Sequence, residues 1–487
     1  MQVDDKLGLY AAFKSKDTRF DGRFFVGVSS TGIYCRPVCH ARMPKIENCT
    51  FYPTAAEAEQ AGYRPCLLCR PELAPGRSVA DAKSTLANRA ARLLEEHSGS
   101  GLSVEELAVK LGCTDRHLRR VFSEEFRVSP VRYLQTCRLL LAKSLLTDSD
   151  LSVVDVTMVS GFGSLRRFND AFKSHYRLSP TEFRKQAALG GAVSGDVTLS
   201  LGYRSPYQWE KLLAFLAFRA IPGVEVVRDG EYLRTVRLMG GNGAELTGWI
   251  RVCNKPAKNM LAVTVSSSLL PALPQVLARI RHLFDLRCDP DAISDVLTAM
   301  NEVKPGLFTP GLRLPGCFDS FEMCVRAVLG QQVTVKAAST LAARMAATFG
   351  TTIETGIEGL GLIFPSPETI IALPGDISDQ LGPIGVTSAR SKTILSLAHA
   401  FVDRTIDFGQ SAVPEVEIAR LCELPGIGSW TAHYIAMRSM GWPDAFLETD
   451  YGVKKVFEGL KPKEILERSQ AWRPWRSYAT INIWNSL

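Results

Sequence analysis

Two close pairs of cysteines constrain this chain more than any other feature of its 487 residues. Cys35 and Cys39 form a C-x3-C pair, and Cys66 and Cys69 form a C-x2-C pair after 26 intervening residues. Four thiolates presented from two turns can surround zinc tetrahedrally, the arrangement typical of structural zinc sites. The spacing therefore predicts one zinc ion, held by all four cysteines.

Other interpretations of the same residues stay open at this point. The four side chains could be unrelated buried cysteines, since thiols are common in protein cores. Cys66 and Cys69 could form a redox pair, although the βαβ context of thioredoxin-like motifs is not evident around them. His40 could replace Cys39 as a ligand.

The residues around the cysteines are basic, which bears on their reactivity. Cations and a bound metal both stabilise the thiolate, the nucleophilic form of the side chain. The cations near one or the other pair are Arg36, Arg42, Lys45, Arg64 and Arg70. The pattern favours a reactive cysteine over a purely structural one.

A repeat with a spacing of about 50 residues follows. HLRRVFSEEFRVSP at 117–130 aligns with RFNDAFKSHYRLSP at 167–180, and LSVEELAVKLGC at 102–113 aligns with LSVVDVTMVSGF at 151–162. In each copy, apolar residues recur at helical spacing, a glycine interrupts them, and a second amphipathic helix begins. The sequence therefore predicts two helix–turn–helix units.

The charge distribution agrees with a DNA-binding role for the repeat. Lys and Arg outnumber Asp and Glu by 18 to 13 between residues 76 and 187, whereas both number 29 from residue 188 onward. A basic excess favours an anionic partner such as nucleic acid. The second helices are expected at Thr114–Phe122 and Ser164–Phe172. Their polar faces offer DNA the side chains of Arg116, His117, Arg119, Arg120, Arg166 and Arg167.

The pattern changes after GGAVSG at 190–195, which has the composition of a flexible linker. Helices are expected at Pro206–Phe218 and Pro274–Phe284, and the chain from about residue 290 consists of helices separated by Gly and Pro. Strands are expected at Val197–Leu201, Val224–Val227, Leu233–Leu238, Thr247–Cys253 and Met260–Val265.

These patterns together predict a multidomain chain with four units. They are a small zinc α/β domain at 1–76, an all-α double helix–turn–helix at 80–187, an α+β domain at 195–288 and an all-α domain at 289–487.

A glycine-rich turn near the C-terminus carries the second chemical signal. Pro425-Gly426-Ile427-Gly428 lies between two expected helices, so its backbone N–H groups and the following helix N-terminus can bind phosphate. Asp450 lies downstream, with Glu448 as a rival acid. A G-x-G run is often only a turn, and Asp450 could be only a helix N-cap.

The cysteine region closely resembles the zinc domain of the Ada family of bacterial adaptive-response regulators. The matching runs are TGIYCRPVCHAR and FYPTAAEAEQAGYRPCLLCRPE. The resemblance implies that Cys35 irreversibly accepts the methyl group of a methylphosphotriester in DNA. Pro-Cys-His-Arg, the acceptor motif of that family's O6-alkylguanine domain, is absent from this sequence.

Residues 84–187 resemble the AraC/XylS-type DNA-binding domain, whose second helices lie in successive major grooves. Together with the Ada resemblance, this implies that methylation of Cys35 switches the chain to a transcriptional activator. The implied partners are promoter DNA and RNA polymerase.

Residues 196–487 resemble 3-methyladenine DNA glycosylase II. The resemblance rests on the hairpin run at 424–457, on FDSFEMCVRAVLGQQVTVKAA at 318–338 and on WRPWRSYATINIW at 472–484. It implies hydrolytic release of alkylated bases from double-stranded DNA. Asp450 would be the catalytic carboxylate, which stabilises an oxocarbenium-like sugar or assists the attacking water.

The same resemblance assigns roles around the flipped base. Trp430, Tyr434 and Trp484 would line the base pocket, where a cationic base stacks on electron-rich rings. Gly426 and Gly428 would contact DNA, and a monovalent cation is implied at the hairpin. Gln332 stands where the family has an apolar wedge. Trp430 occupies the position of the catalytic lysine of lyases, so a monofunctional enzyme is expected.

The combined hypothesis is a monomeric, cytoplasmic alkylation-response protein with one zinc ion. The N-terminus lacks the apolar core of a signal peptide, and no uncharged apolar run reaches the roughly 18 to 20 residues of a membrane span. One alternative is a transcription factor whose C-terminal half binds damaged DNA without catalysis. Another is an N-terminal half that serves only as a zinc-stabilised DNA anchor.

Overall fold

The computed structural model describes residues 5–75, 86–99, 102–187, 196–240, 243–409 and 412–487. The predicted linker at 190–195 lies outside these ranges. None of the helices in them is long and apolar enough to cross a membrane.

Residues 5–75, here called the N-terminal part, form a four-stranded sheet with two helices. The strand order is β3-β1-β2-β4, in which β4 runs parallel to β2 and the other pairs are antiparallel. The elements are α1 (Lys6–Lys14), β1 (Phe25–Val28), β2 (Ile33–Cys35), β3 (Cys49–Tyr52), α2 (Ala55–Gln60) and β4 (Arg64–Pro65). Of these strands, the sequence marks only β1, through the strand-like run at residues 24–28, because strands of two to four residues carry too little periodicity.

Residues 86–187, the helix–turn–helix part, contain both predicted units. The helices are α3 (Leu86–Glu96), α4 (Val104–Lys110), α5 (Asp115–Phe126), α6 (Pro130–Asp148), α7 (Val153–Val159), α8 (Leu165–Tyr176) and α9 (Pro180–Ala187). Each second helix begins one residue late, because Thr114 and Ser164 are N-caps that accept a backbone N–H three residues on. Both helices extend past their predicted ends, since Phe126 and Tyr176 complete the buried apolar faces.

Residues 196–288, the α/β part, form an antiparallel sheet with strand order β5-β9-β8-β7-β6. All five predicted strands and both predicted helices are present, with ends that differ by up to three residues. They are β5 (Val197–Gly202), α10 (Trp209–Ala217), β6 (Glu225–Arg228), β7 (Glu231–Met239), β8 (Glu245–Lys255), β9 (Met260–Val265) and α11 (Leu273–Leu283).

Residues 289–487, the helical part, also carry a two-stranded ribbon that the sequence did not predict. The elements are α12 (Pro290–Leu297), α13 (Ser320–Leu329), α14 (Val335–Phe349), β10 (Thr351–Thr352), β11 (Leu362–Ile363), α15 (Pro367–Ile371), α16 (Ile377–Leu381), α17 (Ser388–Val402), α18 (Pro414–Glu423), α19 (Ser429–Ser439), α20 (Tyr451–Val456), α21 (Pro462–Arg468) and α22 (Arg476–Asn485). The N–H groups of Gly361 and Leu362 both donate to the carbonyl of Gly223, at 2.9 Å. This contact joins the ribbon to the α/β part.

The helix–turn–helix part and the α/β part share one apolar core. Phe168 and Phe172 of α8 are fully buried in the same cluster as Leu199 of β5 and Ile280 of α11. Apolar burial of this kind stabilises association by about 25 cal/mol per Å². The helix–turn–helix part and the α/β part therefore pack against each other instead of lying apart on a linker.

Buried ion pairs attach the N-terminal part to the others. The ammonium of Lys143 on α6 lies 2.5 Å from the carboxylate of Glu72, and both side chains are almost inaccessible. Arg70 bridges Glu72 at 2.9 Å and Asp148 at 2.6 Å. Removing one member of such a pair leaves an uncompensated buried charge, so these contacts fix the docking geometry.

A second buried carboxyl group, that of Glu59 on α2, lies at the same interface. It accepts hydrogen bonds from Tyr34 at 3.0 Å and from Thr136 of α6 at 2.9 Å. Nε2 of His175 on α8 lies 3.8 Å from it. Burial raises the pKa of Glu59 to about 7, although Lys143 opposes that rise.

Glu59→Gln is expected to remove a pH dependence of stability. The folded protein binds this proton more tightly than the unfolded chain does. Its contribution is therefore complete below the ordinary pKa of 4.5 and is lost as the pH rises through about 7. Between pH 5 and pH 8, the free energy of unfolding of the wild type should fall by about 2 to 3 kcal/mol relative to the variant. Urea unfolding at both pH values measures this, with exposed Glu47→Gln as the control. A difference that stays constant with pH would contradict the expectation.

Candidate metal centre and aromatic cleft

The four predicted metal ligands converge at one edge of the N-terminal sheet. β2 ends at Cys35, and the parallel strand β4 leads directly into Cys66, so the strand pairing aligns the two cysteine pairs. The four Sγ atoms lie within 4.8 Å of one another. This donor set fits one zinc ion with four thiolate ligands. His40 is not in the group, and its Nδ1 lies 3.2 Å from Nζ of Lys16.

The hydrogen bonds to the four sulfurs are unequal. The N–H of Arg36 donates to Sγ of Cys69 at 3.3 Å, and the N–H of Ala41 donates to Sγ of Cys39 at 3.5 Å. Sγ of Cys66 accepts the N–H of Cys69. Within the described ranges, no backbone N–H donates to Sγ of Cys35. Such hydrogen bonds draw charge away from a thiolate, so a sulfur without one keeps more of its nucleophilic character.

Two of the nearby cations are engaged in ion pairs. Nε of Arg36 donates to Asp21 at 2.8 Å, and the same guanidinium donates to the carbonyl of Cys69 at 3.1 Å. Arg70 points to Glu72 and Asp148. Both cations therefore form ion pairs that stabilise the fold, and the guanidinium of Arg36 also contacts the loop that carries Cys69.

The basic residues predicted to contact DNA differ in their ion pairs and in their exposure. Arg119 is held by Asp115 at 2.9 Å and by Glu105 at 3.0 Å. Arg120 lies 3.3 Å from Glu124. The exposed residues of the set are Arg116, His117, Arg120, Arg166 and Arg167. That these side chains bind DNA remains a prediction.

A cleft of about 1500 Å³ lies between the α/β part and the helical part. It is lined by the loop between α13 and α14, by α19, by the start of α20 and by the C-terminal residues. The predicted residues brought together there are Gln332, Gly426, Trp430, Tyr434, Asp450 and Trp484. Residues up to 152 positions apart in sequence therefore form one site.

Aromatic rings form one wall of this cleft. The rings of Trp430 and Tyr434, one turn apart on α19, stack with centroids 5.3 Å apart and planes at 15°. Trp484 of α22 lies 6.2 Å from Tyr434 at 60°. All three side chains are partly exposed, so they are free to receive a planar ligand.

Asp450 is both a helix N-cap and a cleft residue. Its Oδ1 accepts the N–H groups of Gly452 at 2.9 Å and Val453 at 3.2 Å, and the indole N–H of Trp484 at 2.9 Å. No donor among the described residues reaches Oδ2. One oxygen therefore fixes the carboxylate while the other remains available in the cleft. The rival acid, Glu448, does not line the cleft.

The glycine-rich hairpin connects α18 to α19 beside the cleft. Gly426 has φ +82°, Ile427 is buried, and Gly428 is the N-cap of α19. Nε2 of Gln331 donates to the carbonyl of Gly426 at 2.9 Å and to Oγ1 of Thr431 at 3.2 Å. The hairpin thus presents a helix N-terminus with free N–H groups, which suits a phosphate.

Gly426→Ala is expected to disturb this hairpin. A Cβ there would collide with Oγ1 of Thr393, and the positive φ disfavours an L side chain by roughly 1–2 kcal/mol. We expect DNA affinity, measured by fluorescence anisotropy, to fall by about tenfold while the fold is kept. The control is Gly382→Ala, where a Cβ meets open space. Adding Thr393→Ala should recover part of the loss, and full affinity in the single variant would contradict the expectation.

Several residues in the cleft or beside it were not predicted from the sequence. The phenol of Tyr434 accepts a hydrogen bond from Arg438 at 2.8 Å, and Arg219 lies over the ring of Phe215 at 3.7 Å. Burial opposes ionisation of Tyr434, but the guanidiniums of Arg438 and Arg219 outweigh it and lower its pKa. Tyr451, next to Asp450, is 81% exposed at the rim. Tyr451 could have been predicted from its position next to Asp450. No local sequence motif marks Phe215 or Arg219.

The loop that holds the predicted wedge lies beside the hairpin, since its Gln331 contacts Gly426. Gln332 is exposed with φ +54°, in the loop between α13 and α14. Its neighbour Val333 is also exposed. The loop therefore offers both a polar and an apolar side chain for insertion, and the choice between them remains a prediction.

Four family models match successive stretches of the chain. They are the metal binding domain of Ada at residues 8–72, a helix-turn-helix domain at 107–186, the AlkA N-terminal domain at 198–319, and the HhH-GPD superfamily base excision DNA repair protein at 325–470. They confirm the predicted multidomain fold class and the assignment of the four cysteines to one zinc ion.

Curated relatives match the whole chain and each of its halves. A Mycobacterium tuberculosis protein, named probable bifunctional transcriptional activator/DNA repair enzyme AlkA, is 37% identical over 99% of this chain and 97% of its own length. DNA-3-methyladenine glycosylase 2 of Escherichia coli is 35% identical over 58% of this chain and 96% of its own length. The E. coli bifunctional transcriptional activator/DNA repair enzyme Ada is 38% identical over 26% of this chain and 34% of its own length.

Proposed function

The chain belongs to the family of bifunctional transcriptional activator/DNA repair enzymes, and from that premise we propose that it combines two activities on alkylated DNA. The C-terminal half releases alkylated bases as a DNA-3-methyladenine glycosylase. The N-terminal half accepts a methyl group and then activates transcription.

The glycosylase proposal rests on the placement of Asp450. Asp450 lines the same cleft as Trp430, Tyr434 and Trp484, and no donor among the described residues reaches its Oδ2. A flipped, positively charged base stacks on these rings. The bond between the base and the sugar then breaks and the base keeps the electron pair. Water adds to the sugar carbon and releases one proton to solvent. The fixed carboxylate stabilises the positive charge that develops on the sugar.

Strand cleavage through a Schiff base is not part of this proposal. That chemistry needs a lysine amine as nucleophile. Trp430 takes the corresponding place at the start of α19, and no lysine of the described chain lines the cleft. The product is therefore an abasic site in an intact strand.

A base-release assay tests the proposal. The full chain is incubated with methylated duplex DNA, free bases are separated by chromatography, and strands are examined before and after alkali. We expect free 3-methyladenine and breaks that form only after alkali treatment. DNA binding without release would favour the alternative of a regulator that only recognises damage.

We also propose that Cys35 is the methyl acceptor. Bound zinc would keep the four sulfurs as thiolates. Sγ of Cys35 attacks the methyl carbon, the bond from that carbon to the phosphotriester oxygen breaks, and the phosphate regains its negative charge. The ligand set loses one negative charge, so its repulsion from DNA falls. The support is the missing N–H donor at this sulfur, even though Cys69 is the more exposed ligand.

Mass spectrometry distinguishes the two sulfurs. After exposure to a duplex with one methylphosphotriester, we expect a single added methyl on the peptide that contains Cys35. The Cys422→Ser variant, at an exposed cysteine of the helical part, should behave like the wild type. Methyl addition at Cys69 would overturn the assignment, and no addition would favour a zinc-stabilised anchor.

The remaining assignments follow from these two. We propose that the four units extend over 1–76, 80–187, 195–288 and 289–487, and that the chain acts as a monomer. The exposed faces of α5 and α8 would bind promoter DNA, and RNA polymerase would be the partner of the activated form. Gly426, Gly428 and a monovalent cation at the hairpin would hold the backbone of damaged DNA.

A further inference from the structure

A second cavity, of about 240 Å³, lies where the N-terminal, helix–turn–helix and α/β parts meet. It shares no lining residue with the aromatic cleft. Its walls come from the turn at Pro71–Leu73 and from α2, α3, α6, β5 and α11. None of the roles proposed above uses this cavity.

Three arginines line one side of the cavity. Arg92 comes from α3, Arg281 from α11, and Arg287 from the segment after α11. The carboxylate of Glu95 lies 2.5 Å from Arg287, and it also accepts the phenol hydrogen of Tyr133 at 2.7 Å. Within the described ranges, no residue forms an ion pair or a hydrogen bond with the guanidinium of Arg92 or of Arg281.

The other charged side chains near the cavity do not neutralise the three arginines. Glu72 also lines it, but its carboxylate is paired with Lys143 and Arg70. Arg138 adds a further guanidinium, which donates to the carbonyl of Ser98 at 2.7 Å. The cavity wall therefore carries an excess of positive charge on partly buried side chains, which a bound anion would offset.

The titration of these groups agrees with that excess. Burial first, and then the nearby charge of Arg287, together lower the pKa of Arg92 and of Arg281 to about 10. A guanidinium offers two parallel N–H donors that match the oxygens of a phosphoryl group, and a phosphoryl group has enough oxygens to engage several arginines.

We propose that this cavity binds a phosphoryl group through Arg92, Arg281 and Arg287. α3 belongs to the regulatory half and α11 to the C-terminal half, so the ligand bridges the two halves. Ligand that binds only the docked arrangement stabilises it by mass action. The phosphoryl group comes either from a free compound such as pyrophosphate or from the backbone of bound DNA.

Isothermal titration of the full chain with pyrophosphate, at constant ionic strength, tests the site. We expect one binding event in the wild type, and affinity at least about tenfold lower in the Arg92→Gln/Arg281→Gln variant. Arg228→Gln, at an exposed arginine of β6 outside the cavity, should leave the affinity unchanged. Since the double variant removes like charges from one wall, it should remain folded, which circular dichroism checks; Arg92→Lys is the milder second variant.

A second arm identifies the source of the phosphoryl group. If DNA supplies it, the double variant binds undamaged duplex more weakly, with a lower salt dependence, and pyrophosphate competes with DNA. If a free compound supplies it, DNA affinity is unchanged while pyrophosphate binding is lost. Two results would overturn the proposal. In the first, the double variant retains the wild-type affinity for both pyrophosphate and DNA. In the second, the wild type does not bind pyrophosphate and the double variant loses no affinity for DNA.

Discussion

Asp450→Asn should reduce the rate of base release by at least about 10² to 10³-fold while leaving the fold and DNA affinity intact. An amide oxygen can still accept the N–H groups of Gly452 and Val453, so the N-cap of α20 is retained. What is lost is the negative charge at the cleft. A role confined to helix capping therefore predicts little change, and a catalytic role predicts a large one.

Single-turnover measurements with methylated duplex isolate this step from product release. Glu448→Gln, two residues away and outside the cleft, is the matched control and should change the rate by less than about threefold. DNA affinity of both variants is measured by anisotropy. Release at the wild-type rate by Asp450→Asn would remove this residue from catalysis, and loss of release by Glu448→Gln would transfer the role to it.

The parts of the site that the sequence predicted are those that short contiguous runs specify. A cysteine pair within five residues or a glycine hairpin before a helix depends on local backbone geometry, so spacing alone locates it. Phe215 and Arg438 are different, because 222 residues separate them and only the packing of α10 on the helical part places the guanidinium 5.0 Å from the ring. Local patterns carry no information about such partners.

The same limit applies to the relation between the halves. The amphipathic pattern of α8 predicts that Phe168 and Phe172 are buried, but it does not say against what. The structure buries them in a core that continues into β5 and α11. Small, flexible residues at 190–195 therefore do not show that the two halves are independent. The composition of a linker sets how far apart the flanking parts can lie, but it does not determine whether their surfaces pack together.

Zinc removal should unfold the N-terminal part selectively. The apolar cluster around the metal site is small, and four of its buried or partly buried members are the metal-binding cysteines themselves. Structural zinc sites contribute binding free energies on the order of 10–16 kcal/mol to folding, more than such a core supplies. Cys66→Ala, or chelation of the full chain, should therefore expose residues 5–75 to proteolysis and to hydrogen exchange.

The aromatic cleft, which lies outside the N-terminal part, provides the control for this prediction. The residues that line the aromatic cleft come from positions 216–487, so base release should stay within about threefold of the wild-type rate after zinc loss. Cys113→Ala, at a cysteine outside the metal site, should leave both protease resistance and metal content unchanged. If residues 5–75 stay protected after stoichiometric loss of zinc, then their buried contacts with α6, chiefly Glu72 with Lys143, suffice to hold them folded. A fall in base release together with zinc loss would instead show that the docked N-terminal part supports the cleft.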